Sequence, residues 1–124
     1  MKKTLLVLTV FFVFSSCSKD DLDLPRCKFN NATQDLPWLR SIIEDREANP
    51  TEEMKYCYIE QAKLKRKPVF VLGDCDPLVN KAVFILDCEG NIVKNEDDEE
   101  VYAVEVDLKN RKIIWKPTDF ACSL

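Results

Sequence analysis

The sequence predicts an α+β domain: one N-terminal amphipathic helix packed on an antiparallel β-meander of four to five strands. Three observations predict it. Asp35 to Asn49 carries apolar residues at helical spacing. Five later runs are either continuously apolar or alternate residue by residue. The turns between those runs are short, which makes neighbouring strands antiparallel and leaves the helix to cover one sheet face.

Asp35-Leu36-Pro37 opens the helix. Asp35 is the expected cap, and Pro is tolerated in the first turn because the amides there lack helical partners anyway. Leu36, Leu39 and Ile43 follow at i, i+3 and i+7, with Trp38 and Ile42 widening the stripe, and Arg40, Glu44, Asp45 and Glu47 facing away. Asn49-Pro50 ends it.

Lys55 to Leu64 alternates Tyr56, Tyr58 and Glu60 against Cys57, Ile59 and Gln61, a strand with one rather polar face. Lys65-Arg66-Lys67-Pro68 is a basic turn. Pro68 to Gly73 is nearly continuous in apolar residues and reads as a central strand, ended by Asp74-Cys75-Asp76-Pro77. Ala82 to Asp87 is a second buried strand, closed by Glu89-Gly90-Asn91. After the acidic loop Asn95 to Glu100, alternation over 101–108 predicts a half-exposed strand, and Lys112 to Lys116 returns as the last one.

Asp74, Asp76 and Asn80 hold only the first part of a calcium-loop pattern, which also needs a Gly and a late Glu at fixed places, so a strand-end turn is the plainer reading and no metal is assigned. The chain has no histidine. That removes the commonest general base and the commonest metal ligand, and argues against Ser-His and Cys-His hydrolases. No catalytic residue and no cofactor is assigned. Tyr56, Tyr58 and Tyr102 stand beside charged residues on strands, and an uncovered sheet face would make them candidates for partner contact.

The chain opens with Lys2-Lys3, an apolar run from Leu5 to Phe14, and Ser15-Ser16-Cys17, the layout of a signal peptide. The run is too short for a spanning helix, which needs about twenty residues. Phe14-Ser15-Ser16-Cys17 resembles the lipobox of bacterial lipoproteins, with Phe14 where Leu is usual. The resemblance implies that Cys17 becomes the first residue, carries lipid of the palmitate type, and holds the domain at the membrane; two or more chains anchor firmly where one is marginal. Lys19-Asp20-Asp21 resembles the surface-export signal of Bacteroidetes lipoproteins, which implies the cell-surface side of the outer membrane over its periplasmic face. The expected organisation is a signal peptide over 1–16, an acidic tether over 17–26 and one domain over 27–124.

Five cysteines remain after Cys17: Cys27, Cys57, Cys75, Cys88 and Cys122. In an exported chain without a C-x-x-C pair they read as disulfides rather than zinc ligands. A hairpin centred on Arg66 places Cys57 opposite Cys75 and suggests a cross-strand bridge. Cys27 and Cys122 then compete for Cys88 or for each other. Removing Lys2 and Lys3 with the leader takes the formal charge two units below the −4 of the whole chain, which disfavours nucleic acid as a partner.

Taken in order, Leu36-Pro37-Trp38-Leu39, Tyr58-Ile59-Glu60-Gln61, Val69-Phe70-Val71, Asp87-Cys88-Glu89-Gly90-Asn91 and Ile114-Trp115-Lys116 resemble a family of small Bacteroidetes-type lipoproteins. The resemblance spans Asp35 to Lys116 and rests on order and spacing. This chain departs from it between Asn95 and Leu108. It implies a small helix-plus-sheet fold similar to β-lactamase-inhibitor and outer-membrane-assembly lipoproteins, and no activity. The function expected from residues and resemblance together is a lipid-anchored, non-enzymatic interaction module with a protein or glycan partner. An envelope-assembly or structural lipoprotein is the alternative, and a carboxylate-based hydrolase ranks behind both.

Overall fold

The computed structural model describes residues 22–79 and 81–124. The leader, Cys17 and the tether as far as Asp21 lie outside the described residues, as does Asn80. The domain is α+β: a four-stranded antiparallel sheet with two helices. Helix α1 is Ala32–Asp35 and α2 is Pro37–Ala48; a 3₁₀ turn, Glu52–Tyr56, leads into β1, Cys57–Leu64. Strand β2 is Lys67–Asp74, β3 is Ile85–Asp87 and β4 is Lys109–Trp115. No described helix is long and apolar enough to cross a membrane.

Asp35 does not cap α2. Leu36 occupies the N-cap position, and the Asp35 carboxylate turns back to accept the N–H groups of Asn30 and Asn31, both at 2.9 Å. These two backbone bonds hold its carboxyl below the ordinary carboxylate range. Pro37 enters the first turn, and Asn49 closes the helix with its N–H on the Asp45 carbonyl.

The β1–β2 hairpin turns on Lys65 and Arg66, with φ of 49° and 68°. Two consecutive left-handed residues make the tight turn whose twist matches the flanking strands. It pairs Leu64 with Lys67 and, seven residues on, Cys57 with Asp74. The hairpin therefore centres between Lys65 and Arg66, half a residue before the position the sequence suggests. That displacement overturns the Cys57–Cys75 bridge. Cys75 follows Asp74, so alternation points it to the other face from Cys57.

Strand order in the sheet is β3-β2-β1-β4. The last strand does not continue a meander beside β3 but crosses to the open edge of β1, pairing Glu60 with Ile113 and Gln61 with Lys112. The expected strand over 101–108 is not formed. Tyr102 makes an isolated bridge to Phe84, and Ala103–Glu105 is a 3₁₀ turn held by the Tyr102 N–H on the Glu105 carboxylate. Alternation fails there because Val104 projects into solvent, 93% exposed.

Both sheet faces are covered. On one, Leu36, Leu39 and Ile43 pack on Ile59 and Phe70, with Leu72, Leu86, Ile114 and Trp115 at the margin. The Trp38 ring meets Phe70 edge-on at 5.5 Å. Gly90, at φ 86°, lies under that indole, where a Cβ would come within 2.8 Å. On the other face Ala62, Leu64, Val69, Val71 and Ile85 meet Leu24, Val93, Val101 and Leu108. The Lys67 ammonium fastens this cover by donating to the Leu24 carbonyl at 2.6 Å. The bare face that would have exposed the tyrosines is thus filled by residues 22–24 and 92–108.

Candidate functional site

Covering the second face creates a concavity at its hairpin end. Leu22, Leu64, Val101 and Val106 form an apolar floor; Glu96, Asp97, Glu105 and Asp107 stand around the rim, with Lys65 on one side. The volume is about 670 Å³, within the range of small-ligand sites.

The rim is built by local chemistry. Asn95 takes the N–H groups of Asp97 and Glu99 on its side-chain oxygen, each at 2.9 Å, and returns its amide to the Glu99 carboxylate at 3.1 Å. This turn aims Glu96 and Asp97 outward. Asp98 adopts φ 62° and pairs with Lys94 at 3.1 Å. Asp107 is bridged to Lys109 at 2.7 Å. Behind the rim the backbone is tied to the sheet: Val93 N–H donates to Ile85, Val101 N–H to Val93, and Ile85 N–H to Val101. An exposed acidic edge therefore sits on a floor anchored to the core. Such a site suits an apolar ligand segment carrying positive charge.

The three tyrosines do not converge. Tyr56 ends the 3₁₀ turn, with the Lys55 ammonium 5.2 Å from its ring. Tyr58 lies over Gly73 and meets Phe120 edge-on at 6.1 Å. Burial, reinforced by the Glu60 carboxylate, pushes its phenol above the usual range. Tyr102 packs on Phe84 at 5.1 Å beyond β3. Register puts Tyr58 on the face of Ala62 and Leu64, whereas Phe84, and with it Tyr102, falls on the face of Leu86.

The disulfides are Cys27–Cys88 and Cys75–Cys122, with Cα separations of 6.0 and 6.1 Å. The first ties the segment before α1 to the end of β3. The second forms because Ala121 N–H reaches the Lys55 carbonyl at 2.8 Å, laying the C-terminal segment beside Cys75. Among the described residues Cys57 has no disulfide partner. Burial raises its thiol, and the adjacent Asp74 carboxylate raises it further, which keeps it protonated and weakly nucleophilic. Cys17, the expected lipidation site, is outside the described residues.

Asp74 and Asp76, the start of the calcium-like pattern, are used in turn chemistry. Asp74 takes the Asp76 N–H at 2.9 Å and pairs with Lys81 at 2.5 Å; Asp76 takes the Leu78 N–H. Among the described residues no cluster of three or more metal-ligating side chains occurs. Sequence reasoning missed the floor of the concavity, because Leu22 and Val106 are 84 positions apart in the chain. It did mark the acidic run that forms the rim.

Compared with known proteins, the chain matches no family model, no curated protein and no solved structure.

Proposed function

We propose that this protein is a lipid-anchored binding module of the cell envelope, held through Cys17 and displayed at the outer surface, whose concavity takes a cationic segment of a protein partner. The observation that carries the reading is the pairing of an apolar floor with a carboxylate rim in one hollow of about 670 Å³. Apolar area supplies affinity in such a site, and convergent charge supplies orientation and choice of partner. The leader and lipobox-like residues support the anchor, and two disulfides suit an oxidising compartment.

The test is amide exchange of the full chain with a short peptide of alternating Leu and Lys. Slowed exchange over 95–107, lost when Glu96→Gln and Asp97→Asn are combined, is the expected result. Equal protection in wild type and variant rejects the acidic rim as the site. Cys17→Ala should move the protein from the membrane to the soluble fraction. Protease applied to intact cells should digest the domain; full protection would favour the envelope-assembly role on the periplasmic face.

A further inference from the structure

The N-terminal segment is fixed to the domain from Leu22 onward. Leu24 is buried in the core of the second sheet face; its N–H donates to the Leu22 carbonyl at 2.9 Å, and its carbonyl accepts the Lys67 ammonium. Three residues later Cys27 is bonded to Cys88. Leu22 itself packs against that core and lines the floor of the acidic concavity. The chain therefore joins the domain at the concavity and not at a remote end.

Cys17 lies five residues before Leu22. A chain of that length spans at most about 18 Å, whatever its path. With Cys17 as the lipid anchor, the reading on which this rests, Leu22 and the floor it lines stay within about 18 Å of the headgroups in every orientation of the domain. A partner segment must then enter the hollow inside a thin layer over the bilayer.

The rim narrows the partner further. Glu96 and Asp97 are exposed and make no ion pair among the described residues. Their carboxylates repel phosphate headgroups and attract Lys or Arg. Ion pairs at so open a rim are individually weak, so a free peptide gains little from them. A partner confined to the same bilayer meets the hollow at high effective concentration, which makes up the difference. We infer that the occupant of the concavity is the cationic, part-apolar segment directly adjoining the membrane-embedded part of a protein in the same membrane.

The experiment uses the full chain lipidated at Cys17, its mass read first, in phosphatidylcholine vesicles. Two synthetic peptides share a spanning helix of about twenty leucines and an alternating Leu–Lys flank. In one the flank follows the helix directly; in the other a rigid spacer of twenty prolines, about 60 Å long, raises it. Residue-resolved amide exchange should show protection over 95–107 with the direct flank, at a peptide density at least about tenfold lower than the raised flank requires. Glu96→Gln combined with Asp97→Asn should remove that difference, with unchanged exchange in β1 and β2 showing that the variant is folded. Gly–Ser repeats inserted after Ser18 to lengthen the tether should let the raised flank protect as well. Equal protection by the two flanks, or protection by the free Leu–Lys peptide alone, overturns the inference and leaves the acidic hollow standing as a site for cationic segments. Protection by neither flank nor the free peptide fails the hollow itself, and a mass without lipid fails the anchor; each overturns the inference too. Protection of 95–107 by vesicles alone overturns it by making lipid the occupant.

Discussion

The indole N–H of Trp38 donates to the Cys88 carbonyl at 2.9 Å, so α2 is latched to the end of β3 at the residue that also closes the disulfide with Cys27. Three constraints of different kinds meet there: a hydrogen bond, a covalent bridge, and the packing of Trp38 on Phe70 over Gly90. Removing one loads the others.

Trp38→Phe should keep most of the packing and lose the hydrogen bond, costing about 1 kcal/mol. Trp38→Ala should cost about 3 kcal/mol through the cavity it leaves. Gly90→Ala should destabilise by about 1–3 kcal/mol, because the left-handed backbone and the Trp38 ring both oppose a Cβ. Midpoints of urea denaturation under non-reducing conditions measure all three.

Peptide mapping without reductant should recover Cys27 joined to Cys88 and Cys75 joined to Cys122. Cys57→Ser should leave both bridges intact. Cys122→Ser should expose Cys75 to alkylation and cost about 2–4 kcal/mol. A Cys57–Cys75 peptide in the wild-type digest would contradict the observed pairing.

Glu60 is buried and meets Arg111, whose side chain is about half exposed. Arg111→Ala strands a buried carboxylate and should cost about 2–3 kcal/mol, less than a fully buried pair because Arg111 is half exposed. Removing both charges, with Glu60→Leu and Arg111→Leu, should cost less than Arg111→Ala alone. Thermal melts of the two variants and the wild type at one pH decide the order.

Burial pushes the Asp74 carboxyl up, but the Lys81 ammonium and the Asp76 N–H outweigh it and hold the group below its usual range. A depressed carboxylate binds its proton more weakly in the folded state than in the unfolded one. Its contribution is therefore complete above about pH 5 and is lost as pH falls through the lowered folded value. Asp74→Asn should cost about 1–2 kcal/mol at neutral pH. The difference from wild type should shrink below pH 4 in a stability–pH series; a constant difference to pH 2 would sink the assignment.

Local features were readable before the fold. Pro37 and Asn49 bound α2 because helix ends are set by backbone donors and acceptors within one turn. The β-rich runs after Lys55 yielded β1, β2 and β3, although β3 shrank to Ile85–Asp87. The acidic run became the rim of the concavity. Segment 101–108 misled because alternation records which side chains are apolar, not whether a partner strand is at hand. Glu105 found its partner three residues back, in the Tyr102 amide.

By itself the sequence determined the α+β composition, a basic turn around Arg66, the absence of histidine and the segregation of acid at 96–100 from base at 109–116. Only the tertiary structure decided which strand lies beside which, which cysteines join, and that the second sheet face is covered. The reason is geometric. A turn centre displaced by half a residue shifts the register by one and sends Cys75 to the opposite face from Cys57. Whether β4 pairs with β1 depends on contacts about fifty residues apart, which no local pattern records.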